Sequence, residues 1–185
     1  MRRVFGVLSV ISILFLAAET AHARPSSQPV PRLAPQWEVS EWINSDGFQL
    51  SDLKGKVVVI DFFQLWCPGC NAFSIPLVKF WHKVFAKEIA AGAMQFVSIH
   101  TVFEGFAYQT PQRLKGFLKR KKINHPVGLD RAIKGQRLPQ TMVRFGTMGT
   151  PEIAIIDKLG VIRFQEFGGF HAERAQALIR RLLRE

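Results

Sequence analysis

The sequence has almost no cysteine: two in 185 residues, Cys67 and Cys70, with Pro68 and Gly69 between them. A scaffold stapled by disulfides needs several bridges, so that architecture is excluded. A single bridge here would be a poor staple, because so short a loop removes little entropy from the unfolded chain. A zinc site is disfavoured on the same count. Zinc takes four ligands, no further cysteine exists, and the five histidines fall at 22, 82, 100, 125 and 171 without metal-ligand spacing. Acidic residues are the second scarcity, 14 Asp and Glu against 25 Lys and Arg, for a formal net charge of +11. The basic clusters Lys119–Lys122 and Arg180, Arg181 and Arg184 read first as solvated faces. Their second reading is a weak attraction to acidic partners or anionic lipid heads. No aromatic-basic interleaving accompanies them, so no nucleic-acid partner is expected. The sequence also lacks internal repeats, which excludes solenoids and propellers. After residue 18 no apolar run approaches the ~20 residues of a spanning helix.

What is present is a chain that is 48% hydrophobic with 16 Phe, enough for one domain with an aromatic core. The first residues stand apart. Arg2 and Arg3 precede the apolar run Val4–Ala18, and Ala21-His22-Ala23 supplies a small-x-small pattern. Residues 1–23 therefore read as a secretory signal cleaved near Ala23/Arg24. An uncleaved membrane anchor is the alternative, disfavoured by the shortness of the run. Export, most simply to a periplasm, is the expectation. Residues 24–36, rich in Pro, Ser and Gln, read as a flexible tether, and 37–185 as the domain.

Within that domain, Trp37–Trp42, the turn Asn44–Gly47 and Phe48–Leu50 suggest an N-terminal hairpin. Val57–Phe63 is a continuous β-branched and aromatic run, as in a strand buried on both faces. From Phe73 to Ile89 apolar residues recur at helical spacing, with Pro76 expected to kink the helix. Met94–His100 is a second buried strand, and a helix starts at Pro111. A short extended piece follows at 126–129 and a turn of helix at 141–145. Glu152–Asp157 and Val161–Phe167 form a hairpin around Lys158-Leu159-Gly160, and an amphipathic helix closes the chain over 172–183. The expected fold is α/β: a mixed central sheet with helices on both faces.

Between a buried strand and a helix, Cys67-Pro68-Gly69-Cys70 puts its first sulfur at a helix N-terminus, where free amides and the macrodipole stabilise a thiolate. Pro68 suits the first turn, and Gly69 keeps the turn slim so that a second backbone can approach. Cys70, one turn further in, suits the resolving thiol. The Cys67 thiolate attacks a partner disulfide, and Cys70 then attacks Cys67 and releases the product. Cys70 must lose a proton at that step. Asp61 shares a sheet face with Phe63 by alternation, and is either the acceptor beneath the pair or a carboxylate satisfied at the strand edge. Thr150-Pro151, ahead of a buried strand, is either an ordinary turn or a cis peptide that offers the Thr150 carbonyl and N–H to an extended substrate.

Asp61 to Cys70, with Trp66 before the first cysteine, resembles the active-site segment of thioredoxins, and Gly149-Thr150-Pro151 resembles their cis-proline loop. The leader, Ser51–Lys56 and the residues inserted after the second core strand are similar to the exported TlpA/ResA-like branch. The resemblance implies a thioredoxin fold for residues 37–184 and no cofactor. It implies Cys67 as nucleophile, Cys70 as resolving thiol, Trp66 as cover for the disulfide, Asp61 as buried acid and Pro151 as the cis-proline. It further implies a monomer that reduces disulfides of exported client proteins with electrons from a membrane-bound donor. The Pro68-Gly69 order departs from the Gly-Pro of thioredoxins and leaves the direction of electron flow open. Two rivals share the fold. A peroxidase would carry Pro and Thr where Ile60 and Gln64 stand. A copper chaperone would show a longer cysteine spacing and a partner histidine, for which His100 is the sole candidate.

Overall fold

The computed structural model describes residues 31–185, so the secretory-signal segment 1–23 and most of the tether lie outside the described residues. Six strands form one sheet: β1 (Val39–Ile43), β2 (Val57–Phe63), β3 (Met94–His100), β4 (Val127–Asp130), β5 (Glu152–Ile156) and β6 (Ile162–Phe167), in the order β1-β4-β3-β2-β5-β6. β2 runs parallel to β3 and antiparallel to β5, so its backbone groups pair on both sides. All its residues are buried, as the unbroken Val-Val-Val-Ile-Asp-Phe-Phe run requires.

The sheet separates the core into layers. Val57 and Val59 of β2 pack with Val78 and Trp81 of helix α1 (Ile75–Val84), with Phe85 just after it, and with Ile179 and Leu182 of α5 (Ala172–Arg184). Val58, Ile60 and Phe62 point the other way, onto Trp37, Leu50 and Phe145 of α4 (Gln140–Phe145). A third cluster joins Phe63 and both cysteines to Leu114, Phe117 and Leu118 of α3 (Pro111–Lys121). The expected mixed sheet with helices on both faces is the observed one. The insertion after β3 contributes α3 and β4, and β4 extends the sheet by pairing with β3.

Three expectations need correction. No hairpin forms at the N-terminus of the domain. The turn is real, with Asn44 at φ 63° and Gly47 at φ 96°, but β1 pairs antiparallel with β4, and Leu50–Leu53 is a turn of 3-10 helix. Trp37, Trp42 and Phe48 hold this segment by aromatic contacts instead of a ladder. Leu33 and Ala34, expected to lie in a flexible tether, are tied to the domain instead: Leu33 bridges Val161 and the Ala34 N–H donates to Gly160 O. The helix expected from Phe73 to Ile89 is in three parts: a π-helical turn Cys70–Ser74, then α1, then α2 (Ala86–Ala90), broken at Phe85. Pro76 follows closely on the π-helical turn, inside helical backbone that runs from Pro68 through α1, so its missing N–H interrupts the ladder there, as expected.

Asp130, at the end of β4, does work that no local pattern announces. Its carboxylate accepts the Thr141 and Met142 N–H groups at 2.7 and 3.0 Å and the Thr101 hydroxyl at 2.8 Å. It thereby caps α4 from across the chain, satisfying orphan donors that Pro139 cannot. Among the described residues no helix is long and apolar enough to cross a membrane.

Candidate active site

β2 delivers the cysteine segment. Its last residues pair in register, Phe62 with Glu152 and Phe63 with His100, so the chain leaves the sheet beside the start of β5 and the end of β3. Helical backbone begins at Pro68. The Cys67 carbonyl accepts the Asn71 N–H at 3.1 Å, which makes Cys67 the N-cap residue. The Asn71 side chain holds the preceding turn, donating to the Leu65 and Cys67 carbonyls at 3.0 and 3.1 Å.

Cys67 and Cys70 are joined as a disulfide, with Cα atoms 5.3 Å apart. The two sulfurs are not equivalent. Cys70 is completely buried and Cys67 retains 8% exposure. Cys67 Sγ accepts the Cys70 N–H at 3.1 Å and lies 3.4 Å from the Thr150 carbonyl oxygen. A thiolate at Cys67 would keep that amide as a donor, which favours the charged form. The Thr150–Pro151 peptide is cis, and the buried Glu152 fixes its loop by accepting the Met148 N–H at 2.9 Å.

Gly69 has a different partner from the one its sequence suggests. A Cβ added there would lie 2.9 Å from Pro151 Cδ, closer than side chains pack. The slim turn makes room for the chain's own proline loop. Gly69→Ala is expected to destabilise the oxidised protein by about 1–3 kcal/mol through overpacking against a rigid ring. Urea unfolding of the variant measures this, and an unchanged midpoint would show that the loop moves aside freely.

Asp61 is buried at 2% exposure on the face that carries Val59 and Phe63, between the α1 layer and the cysteine cluster. Burial pushes its carboxyl up to about 7, with the nearby Ser74 hydroxyl opposing. Asp61 Oδ1 and Ser74 Oγ nevertheless both lack a hydrogen bond of normal geometry. The strand-edge alternative does not describe this group, which sits in the interior of a fully paired strand.

A polar network that sequence reasoning did not find braces the segment. Gln109 Nε2 donates to Gln64 Oε1 at 2.6 Å, and the Trp66 indole N–H reaches the same oxygen at 2.7 Å. Gln109 Oε1 accepts the Leu65 N–H at 3.0 Å and lies 3.0 Å from His100 Nε2. Burial pushes His100 down to about 4, with Gln109 opposing. Its Nε2 is thus engaged by Gln109 in the polar network. Gln64 and His100 lie at the ends of adjacent strands, and the loop before α3 brings Gln109 between them, a meeting that no local pattern signals. Elsewhere His82 and His125 stack with ring centroids 4.8 Å apart. Among the described residues no three His, Cys, Asp or Glu side chains converge as a metal would require.

A cleft of about 300 Å³ opens beside Cys67, lined mainly by Trp66, Pro68, Phe103, Met148, Thr150 and Phe167, with Glu104 as its one charged residue. Trp66 and Met148 are 53% and 79% exposed, so the disulfide lies at the foot of an apolar groove.

Comparison with known proteins fits this arrangement. The Redoxin family profile matches residues 41–179. A thiol-disulfide isomerase from Corynebacterium glutamicum superposes with a TM-score of 0.75 at 36% identity, covering 82% of this chain and 97% of that one. The thiol-disulfide oxidoreductase ResA of Bacillus anthracis is 25% identical over 149 residues, 80% of this chain and 76% of ResA. Protein DipZ of Mycobacterium bovis is 25% identical over 150 residues, 80% of this chain, but the match spans only 20% of DipZ.

Proposed function

We propose, from the premise that this chain belongs to the Redoxin family and to its TlpA/ResA-like thioredoxin-fold branch, that it is a thiol–disulfide oxidoreductase acting on exported proteins. The observation that carries the reading is the asymmetry of the pair. Cys67 stands at the foot of an open groove within 3.4 Å of the Thr150 carbonyl, and Cys70 is sealed behind it. Cys67 is then the sulfur that meets a client and Cys70 the one that releases it.

In the reducing direction the Cys67 thiolate attacks one sulfur of the client disulfide, and the other leaves as a thiolate that takes a proton from water. Cys70 gives its proton to Asp61 and attacks Cys67 Sγ. The client's second sulfur leaves as a thiolate that also takes a proton from water, and the Cys67–Cys70 disulfide forms. Two electrons pass to the client, whose two sulfurs draw their protons from water, while Asp61 returns the Cys70 proton to solvent. A carboxyl held near 7 suits that exchange at neutral pH. Trp66 and Thr150-Pro151 hold the client strand, with Pro68 and Gly69 shaping the turn beneath it.

The preferred direction is reduction, with electrons returned by a membrane-bound donor, and the protein acts as a monomer. Residues 1–23 have the charge, apolar run and cleavage pattern of an export signal, which supports a domain working outside the cytoplasm, most simply in a periplasm. The test is the equilibrium potential of the Cys67–Cys70 couple. A value near that of thioredoxin, about −270 mV, supports a reductant, and one near about −120 mV makes the protein an oxidant.

A further inference from the structure

Trp66 separates two depressions. One is the apolar groove over Cys67, and the other is a larger cavity of about 610 Å³ on the side of α3. The second has a different chemistry. Its walls are the rings of Trp66, Tyr108 and Phe117, and its charges are Arg113 and Arg120, with no carboxylate among the lining residues. The Arg113 guanidinium lies over the Tyr108 ring, 4.7 Å from its centroid, a contact that orders a long side chain before any ligand arrives. The Trp66 wall is held in turn by Gln64.

Gly116 is the second observation. It lies inside α3, where glycine is the poorest choice short of proline. It shares a helix face with Arg113 and Arg120, three residues before it and four after. A Cβ at Gly116 would already lie 3.3 Å from an Arg120 guanidinium nitrogen, so a longer side chain would fill the space the two arginines enclose. On the same helix Lys115 is paired with Glu41 at 2.8 Å. Among the described residues neither Arg113 nor Arg120 has an acidic partner within salt-bridge distance.

We infer that this cavity is a client-recognition subsite. It takes an aspartate or glutamate side chain that flanks the reacting cysteine of a partner protein. The inference rests on the oxidoreductase reading and deepens it. A client strand crossing Cys67 passes over Trp66 and sets its carboxylate between two guanidinium groups, each able to bind both oxygens. Client choice is then charge-sensitive at one defined place, beyond the general pull of a basic protein.

Two measurements test this with the mature chain. The first is the rate of exchange between the reduced protein and a short peptide dimerised through its single cysteine. One version of the peptide carries Glu at the second and third positions on either side of the cysteine, and the other carries Gln. The second is calorimetric binding of the S-methylated peptides to the Cys67→Ser/Cys70→Ser variant, where no exchange takes place. At low salt the Glu peptide is expected to exchange and to bind about tenfold better than the Gln peptide. Arg113→Gln/Arg120→Gln is expected to bring both ratios close to one. The same loss of charge on α5, Arg181→Gln/Arg184→Gln, is expected to leave them in place. If the α5 variant loses the preference equally, or the α3 variant keeps it, the subsite is overturned in favour of net charge alone. Exchange with both peptides at equal rates and equal binding also overturns the subsite and spares the redox reading. Preferential binding without exchange overturns the redox reading and spares the subsite.

Discussion

Cys70→Ser is expected to convert the protein from a catalyst into a trap. Cys67 keeps its place at the groove and its first attack proceeds, but the mixed disulfide has no buried thiol to resolve it. A well-oriented neighbouring nucleophile acts at effective concentrations that reach ~10⁵ M or more. Millimolar external thiol therefore restores only a trace of the rate, and turnover falls to the uncatalysed level. The adduct should be visible on a non-reducing gel and by intact-mass measurement as one client bonded to Cys67. Cys67→Ser should show neither turnover nor adduct, since Cys70 is fully buried. An adduct of equal yield through Cys70 in that variant would reverse the assignment of the two sulfurs.

Asp61→Asn is expected to act on stability and on rate with opposite signs. The carboxyl titrates from 3.8 in the unfolded chain to about 7 in the folded one. Between those values the folded state holds a proton that the unfolded state has lost, so the stabilisation present below pH ~4 falls away as pH rises. Above the folded value the cost reaches about 4 kcal/mol. Asparagine does not ionise, and Ser74 Oγ, itself without a partner, stands ready for its amide. The variant should match the parent near pH 4 and exceed it by up to about 4 kcal/mol at pH 8, as read by urea unfolding of the oxidised forms. Resolution of the mixed disulfide should slow by about 10²–10⁴-fold and lose its inflection near pH 7. Equal stability at pH 8 together with an unchanged pH profile would remove Asp61 from the proton path.

The parts of this molecule legible in its sequence are those set by near neighbours. Val57–Phe63 announced a buried strand because its side chains have no polar face. Lys158-Leu159-Gly160 announced the β5–β6 turn because Gly160, at φ 86°, adopts a conformation that other residues resist. Asp61 could be set on the Phe63 face by alternation alone. The N-terminal hairpin failed for the complementary reason. Asn44 and Gly47 specify a turn, but turn chemistry does not say which strand the chain then meets, and the partner of β1 is β4, more than eighty residues on. Gln64, Gln109 and His100 were opaque in the same way, since each is an unremarkable polar residue until the β2–β3 pairing sets the ends of those strands side by side and the loop before α3 folds Gln109 back onto them. Gly69 shows a third case. Its smallness was legible, but the neighbour that demands it, Pro151, is known only from the fold.

β2 is sealed above and below and hydrogen-bonded along both edges, and the cysteine segment is its direct continuation. Amide protons in such a strand exchange with solvent only when the whole domain opens. Breathing of the outlying loops, or a protease cut at one of them, leaves the spacing of the two sulfurs intact. The redox centre therefore grows from the part of the fold that opens last, and its anchor is lost only in the same cooperative event as the domain.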